Sequence, residues 1–230
     1  MLNRVLLIGC LFLLISCGNE KILQLPEIQN AEITKVLDVS PAYIFYDETK
    51  EDSVELNRKN LIISTNWLVN VDKRLTLEQA LPSIIKLQDK KRNATMHKNK
   101  NARNYYTCND TSIKNLGFID FTETDYIQES PFDYYAKISK TSLPPKVYVT
   151  IIDDFSIELT TNTIDFKIIK TTKNDLINEI NLITNSTKLK LEIILNFNKN
   201  LSFQDYITIK SELLKLKKDS ISFSDTEFIY

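Results

Sequence analysis

His97 and Cys108 are the histidine and cysteine that the chain holds beyond its N-terminal stretch. An imidazole beside a thiol lowers the thiol's pKa and makes it a nucleophile, so the two are a candidate pair for covalent chemistry. Lone residues of these types more often serve structure, and a half-buried cysteine with a loop histidine is the default reading. Carboxylates follow at Asp110, Asp120, Glu123 and Asp125. They could act as acid and base or bind a hard cation through oxygen. Their spacing fits no calcium loop, so solvated loop acids are the plainer expectation. Around His97 lie Lys86, Lys90, Lys91, Arg92, Lys98, Lys100 and Arg103, with Asp89 the one acid among them. A basic loop of this kind can hold phosphate or carboxylate groups. Tyr105 and Tyr106 beside it, and Trp67, could stack on sugar rings, although large aromatics are more often core anchors.

Composition removes several chemistries. Glycine occurs three times, at Gly9, Gly18 and Gly117. Loops that cradle phosphate need several glycines for close backbone approach, which argues against dinucleotide and P-loop sites. With one histidine there is no paired ligand spacing for zinc and a single candidate base for Ser-His-Asp catalysis. We expect no metal, no cofactor and no assigned catalytic residue. The formal net charge of −1 gives no global drive toward nucleic acid. A length of 230 residues with 43% hydrophobic residues suits one large or two small domains.

The elements that must position these groups read as α+β. Ile33, Val36 and residues 42–46 read as strands, with a charged loop over 47–52, and residues 60–71 form the strongest strand signal of this half. A helix follows, with Thr76 and Gln79 as a capping box, one apolar face of Leu77, Leu81, Ile84, Ile85 and Gln88, and Pro82 awkwardly inside. From Lys86 to Arg103 the pattern becomes polar, the basic loop. A strand is expected over 116–121, and residues 126–145, with Pro131, Pro144 and Pro145, read as a linker. In the last third, residues 146–152 and 156–169 read as a strand pair interrupted by polar turns at Asp153-Asp154 and Thr161-Asn162, Thr172 and Asp175 cap a helix, and Leu189, Leu191, Ile193, Leu195 and Phe197 lie along a strand with one wet face. Ser202 and Asp205 cap a second helix, and residues 221–230 form a closing strand. The order ββαβαβ implies a mixed sheet with helices on one face. The expected domains are 31–125, a smaller strand-rich α/β region, and 146–230.

At the start of the chain Arg4 precedes an apolar run from Val5 to Ile15, stopped by the polar residues after Ser16. The run is shorter than the roughly 20 residues that a spanning helix needs, and its layout is that of a signal peptide. Leu14-Ile15-Ser16-Cys17 resembles the lipobox of bacterial lipoproteins. That resemblance implies cleavage after residue 16 and lipid, palmitate included, on Cys17, with residues 17–30 as a tether. Several acyl chains hold a protein to a membrane effectively permanently. In lipoproteins an aspartate after the cysteine marks inner-membrane retention. Here the residue is Gly18, so an outer-membrane anchor facing the periplasm is expected, with the inner membrane or the cell surface as alternatives. Removal of Cys10 and lipidation of Cys17 would leave Cys108 as a lone thiol, with no internal disulfide possible.

The run Asn198-Lys199-Asn200-Leu201-Ser202-Phe203-Gln204-Asp205-Tyr206-Ile207, continued by Glu212-Leu213, resembles the strand-to-helix passage of the ExbD/TolR biopolymer-transport family. The element order from Lys146 onward is similar too. The resemblance implies that residues 146–230 form a periplasmic dimerising or partner-binding module, with peptidoglycan or an outer-membrane complex as its expected contact. Members of that family carry an aspartate on an N-terminal transmembrane helix for proton coupling. The cleavable signal here has no carboxylate, so proton coupling is not implied. Residues 66–72 and 108–111 resemble segments of bacterial lipoproteins without an assigned activity. The chain is therefore expected to be a lipid-anchored envelope protein that binds a protein partner or itself. The alternative is a hydrolase or glycan-binding protein using residues 97–125.

Overall fold

The computed structural model describes residues 21–138, 146–153, 156–162, 166–187, 190–216 and 220–230. The expected signal peptide and Cys17 lie outside the described residues. The fold is α+β, with two mixed six-stranded sheets and four helices among the described residues.

The first sheet holds β1 (Glu27–Ile28), β2 (Val39–Tyr46), β3 (Val54–Asn57), β4 (Asn66–Val71), β5 (Asn104–Asp110) and β6 (Asn115–Asp120). β2 runs parallel to β4 and antiparallel to β3, and β4 runs parallel to β5. β5 gives one edge to β6 along its length; its other edge pairs with β4 at Asn104–Tyr106 and with β1 at Asn109–Asp110.

Two expectations for this half change. Residues 60–65 turn rather than extend, because Ser40 Oγ accepts from Ile62 N (3.0 Å) and Ile62 O accepts from the Trp67 indole (2.7 Å). Ile33 forms only a single bridge, to Phe118. Residues 21–30, expected as part of a free tether, are docked where described: Pro26 O and Ile28 O accept from Asn109 N and Thr111 N, and Lys21 pairs with Asp47 and Glu55. Backbone groups taken up this way are bound as firmly as a strand's.

Helix α1 (Leu77–Arg92) begins at the expected capping box, with Gln79 N donating to Thr76 Oγ1 (3.3 Å) and Thr76 N to Gln79 Oε1 (2.9 Å). It carries Pro82 and does not stop at Lys86. Good helix formers continue it, and Leu77, Leu81, Ile84, Leu87, Gln88 and Lys91 keep the three- and four-residue spacing of its buried face. The basic residues of its last turn face the negative end of the helix dipole.

The second sheet runs in the order β10-β9-β8-β11-β12-β7. Its strands are β7 (Asp125–Ile127), β8 (Lys146–Asp153), β9 (Ser156–Thr161), β10 (Lys167–Thr171), β11 (Leu191–Phe197) and β12 (Ile221–Ile229). β8, β9 and β10 precede the next helix, the expected polar interruption at Thr161-Asn162 falling between β9 and the antiparallel edge strand β10. The region read as a linker holds β7 and helix α2 (Pro131–Ile138) in its described part. Pro131 starts that helix instead of breaking structure: it is the first helical residue, and Ser130 Oγ accepts from Asp133 N (3.1 Å) as a cap. Residues 139–145 lie outside the described residues. Helices α3 (Leu176–Ser186) and α4 (Phe203–Leu214) precede and follow β11, and α4 makes the crossover between parallel β11 and β12.

Alternation divides the second sheet into two faces. Val147, Val149, Ile151, Ile157, Leu159, Ile193, Leu195 and Phe197 share one hydrophobic core with Leu176, Ile180, Phe203 and Tyr206 of α3 and α4. Tyr148, Thr150, Thr160, Ile194 and Asn196 point to the opposite face, where Tyr134 and Tyr135 of α2 meet Phe228.

Candidate functional site

The groups singled out from sequence do not converge. Cys108 is fully buried in β5, and burial pushes its thiol far up, away from the thiolate. His97 is exposed in the left-handed region (φ 56°), past the end of α1. Tyr106 is fully buried, stacked on Phe121 with ring centres 3.8 Å apart, and Trp67 is fully buried beneath Lys91. The two buried rings offer no free face to a sugar, and the buried thiol is held away from the thiolate.

The basic group separates in the same way. Lys91 is buried, its ammonium donating to Thr65 O (3.0 Å), Arg103 O (2.9 Å) and Asn104 Oδ1 (3.0 Å). Arg92 pairs with Asp125 (2.5 Å), and Arg103 with Asp120 (2.7 Å) and Glu123 (3.2 Å). Two of the candidate cations thus neutralise three of the candidate acids. Asp110 accepts from Ala31 N (2.6 Å) and from Ser112 N and Oγ, closing a turn. Lys90, Lys98 and Lys100 are exposed, and Tyr105 packs half-buried against Phe118. Among the described residues no cluster of three or more His, Cys, Asp or Glu could hold a metal, and no helix is long and apolar enough to cross a membrane.

The site that the fold does build lies elsewhere, between α2 and the second face of the second sheet, as a cleft of about 690 Å³. A volume of this order is that of a small-ligand site. Its floor comes from strand alternation. Tyr148 and Thr150 of β8 stand opposite Thr160 and Glu158 of β9 on one side and Ile194 and Asn196 of β11 on the other. Their neighbours Val147, Val149 and Ile151 point into the core, so packing on the far face fixes the register that presents them. The wall is α2, which projects Phe132, Tyr135 and Ala136 at helical spacing. Tyr230, after β12, closes one end. Phe132 is 82% exposed and presents its ring at the mouth of the cleft.

Two features define the chemistry. No described side chain lining the cleft is charged; the nearby Lys146 is instead turned onto the Tyr135 ring (4.9 Å) and paired with Glu192 (3.0 Å). Asn196 is 2% exposed, its Nδ2 donating to Thr150 Oγ1 (3.0 Å), while its Oδ1 is buried with no hydrogen-bond partner. A buried amide oxygen without a donor is costly, on the order of 1–3 kcal/mol, and is uncommon enough to call for an explanation.

Sequence reading missed this site because its signal is two interruptions of apolar pattern. Asn196 stands inside the apolar run from Ile193 to Phe197, where it was read as part of a wet face, yet that end of the face is buried. The aromatic wall fell in the segment read as a linker. No family model, curated protein or solved structure matches the chain, so the site is read from its own geometry.

Proposed function

We propose that the chain is a bacterial envelope lipoprotein, held by lipid on Cys17 with its body in the periplasm, and that it works by binding an envelope component in the cleft between α2 and the second sheet. The observation that carries the reading is the cleft itself: exposed rings, hydroxyls and an under-bonded amide are groups that hold a ligand, and no nucleophile and base stand together among them. The lipobox at residues 14–17 supports the anchor, and the likeness of residues 198–213 to the ExbD/TolR family points to a binding module in the same half.

Two measurements test it. Cys17→Ala should abolish labelling by palmitate and release the protein from the membrane fraction; labelling that persists would overturn the anchor. A photo-crosslinking residue placed at Phe132 in living cells should capture an envelope component that the same residue at exposed Ile62 does not. Equal capture at both positions would overturn the cleft as the binding surface.

A further inference from the structure

We propose that the cleft is a saccharide site, taking an uncharged sugar unit of a glycan with its ring laid on the exposed aromatics and a hydroxyl completing the hydrogen bonding of Asn196. The inference rests on the cleft being a binding surface and names what it binds. The described lining pairs aromatic rings (Phe132, Tyr135, Tyr148, Tyr230) with neutral hydroxyl and amide groups (Thr150, Thr160, Asn162, Asn196). A sugar has the matching surface, apolar C–H faces edged by hydroxyls, whereas an anionic ligand would find no cation among the described lining residues to offset its desolvation.

Asn196 makes the match more specific. Thr150 Oγ1 engages one end of the amide and leaves the other unpaired. Turning the amide over exchanges oxygen and nitrogen and still leaves one polar atom unpaired. A hydroxyl can donate or accept and so satisfies either orientation. Asn196 is among the residues that line the cleft, and the soft terminal torsion of its side chain lets the unpaired atom turn toward an entering ligand. The unpaired amide is then a group held ready at a cost in stability, the pattern expected of a binding site rather than of a core.

The test uses the full lipidated chain in phospholipid nanodiscs and saturation-transfer NMR with titration. The probes are maltotriose and triacetylchitotriose, a sulfated trisaccharide, and a blocked Ala-Phe-Ala peptide. The neutral trisaccharides should bind saturably through their ring protons, and the sulfated one should not. Asn196→Leu should weaken binding about tenfold while raising Tm by about 2–4 °C, since it removes the unpaired amide. Phe132→Ala, at an exposed position that leaves folding intact, should weaken binding with no change in Tm. Binding of the peptide alone, lost in the same variants, would overturn the saccharide and keep the cleft as the binding surface. So would silence of every probe while the crosslinker at Phe132 still captures a component. Silence in both experiments would overturn both readings, as would neutral trisaccharide binding that neither variant weakens.

Discussion

Lys91 shows how a side chain with the right type for binding is claimed by the core. Its spacing from Leu87 and Gln88 places it on the buried face of α1, where three oxygens, Thr65 O, Arg103 O and Asn104 Oδ1, receive its three N–H groups and the Trp67 ring lies 5.0 Å away. Burial lowers its pKa from 10.5 to about 8. Between these values the unfolded chain holds the proton that the folded chain has released, so the stability this group contributes rises as pH increases through that window. Replacing it by methionine should cost about 1–3 kcal/mol by leaving the three acceptors unpaired. Urea unfolding should show the gap between wild type and Lys91→Met widening from pH 8 to pH 10.5, and a constant gap would show that the group does not titrate there. Cys108 is the same lesson without charge: a residue capable of chemistry placed where its thiol stays protonated.

At the scale of elements, the docking of residues 21–31 onto the first sheet depends on one glycine. Gly117 on β6 sits opposite Cys108, and a Cβ added there would lie 2.5 Å from Ala31 Cβ and 3.0 Å from Ile28 Cδ1. Ala31 cannot swing aside, because its Cβ is fixed to a backbone whose N–H is bonded to Asp110. Gly117→Ala should therefore cost on the order of 1–3 kcal/mol in thermal unfolding and speed proteolysis within residues 21–31. Adding Ala31→Gly should recover most of that loss; no recovery would mean the strain lies elsewhere. Elements with a repeating signal were legible from sequence, among them α1 with its capping box, α4 with Ser202 as its cap, and β11. α2 was not, because its Pro131 reads as a break until the Ser130 cap beside it is weighed, and β7 is too short to show a period.

Across the whole molecule, the two sheets are joined through the N-termini of α1 and α4, which cap each other. Leu77 N and Glu78 N donate to Leu201 O and Lys199 O (both 2.9 Å), while Phe203 N and Gln204 N donate to Leu75 O (2.7 Å) and Lys73 O (3.2 Å). Each loop thus satisfies orphan N–H groups of the other helix. Beneath them Tyr106, Tyr126 and Tyr206 join hydroxyls, and Tyr206 donates to Glu227 (2.8 Å), which is paired with Lys210. Glu227→Leu should cost about 3–5 kcal/mol, because it strands a buried ammonium and a buried hydroxyl. The double variant with Lys210→Met should be more stable than Glu227→Leu alone, read from a double-mutant cycle in urea. A double variant whose loss equals the sum of the two single losses would show that the pair is not coupled.

The sequence by itself determined the α+β class, the capped starts of α1 and α4 and the strand β11, since these follow from local period and capping chemistry. The same local reading carried the expectation of a lipid anchor at Cys17. Which side chains are free to act was decided only by tertiary structure. Arg92 and Arg103 meet their acids across loops, Lys91 and Cys108 are buried by elements far along the chain, and the cleft exists because α2 lies across the face where Asn196 is left without a donor. Burial and ion pairing join residues distant in sequence, and no local period records them.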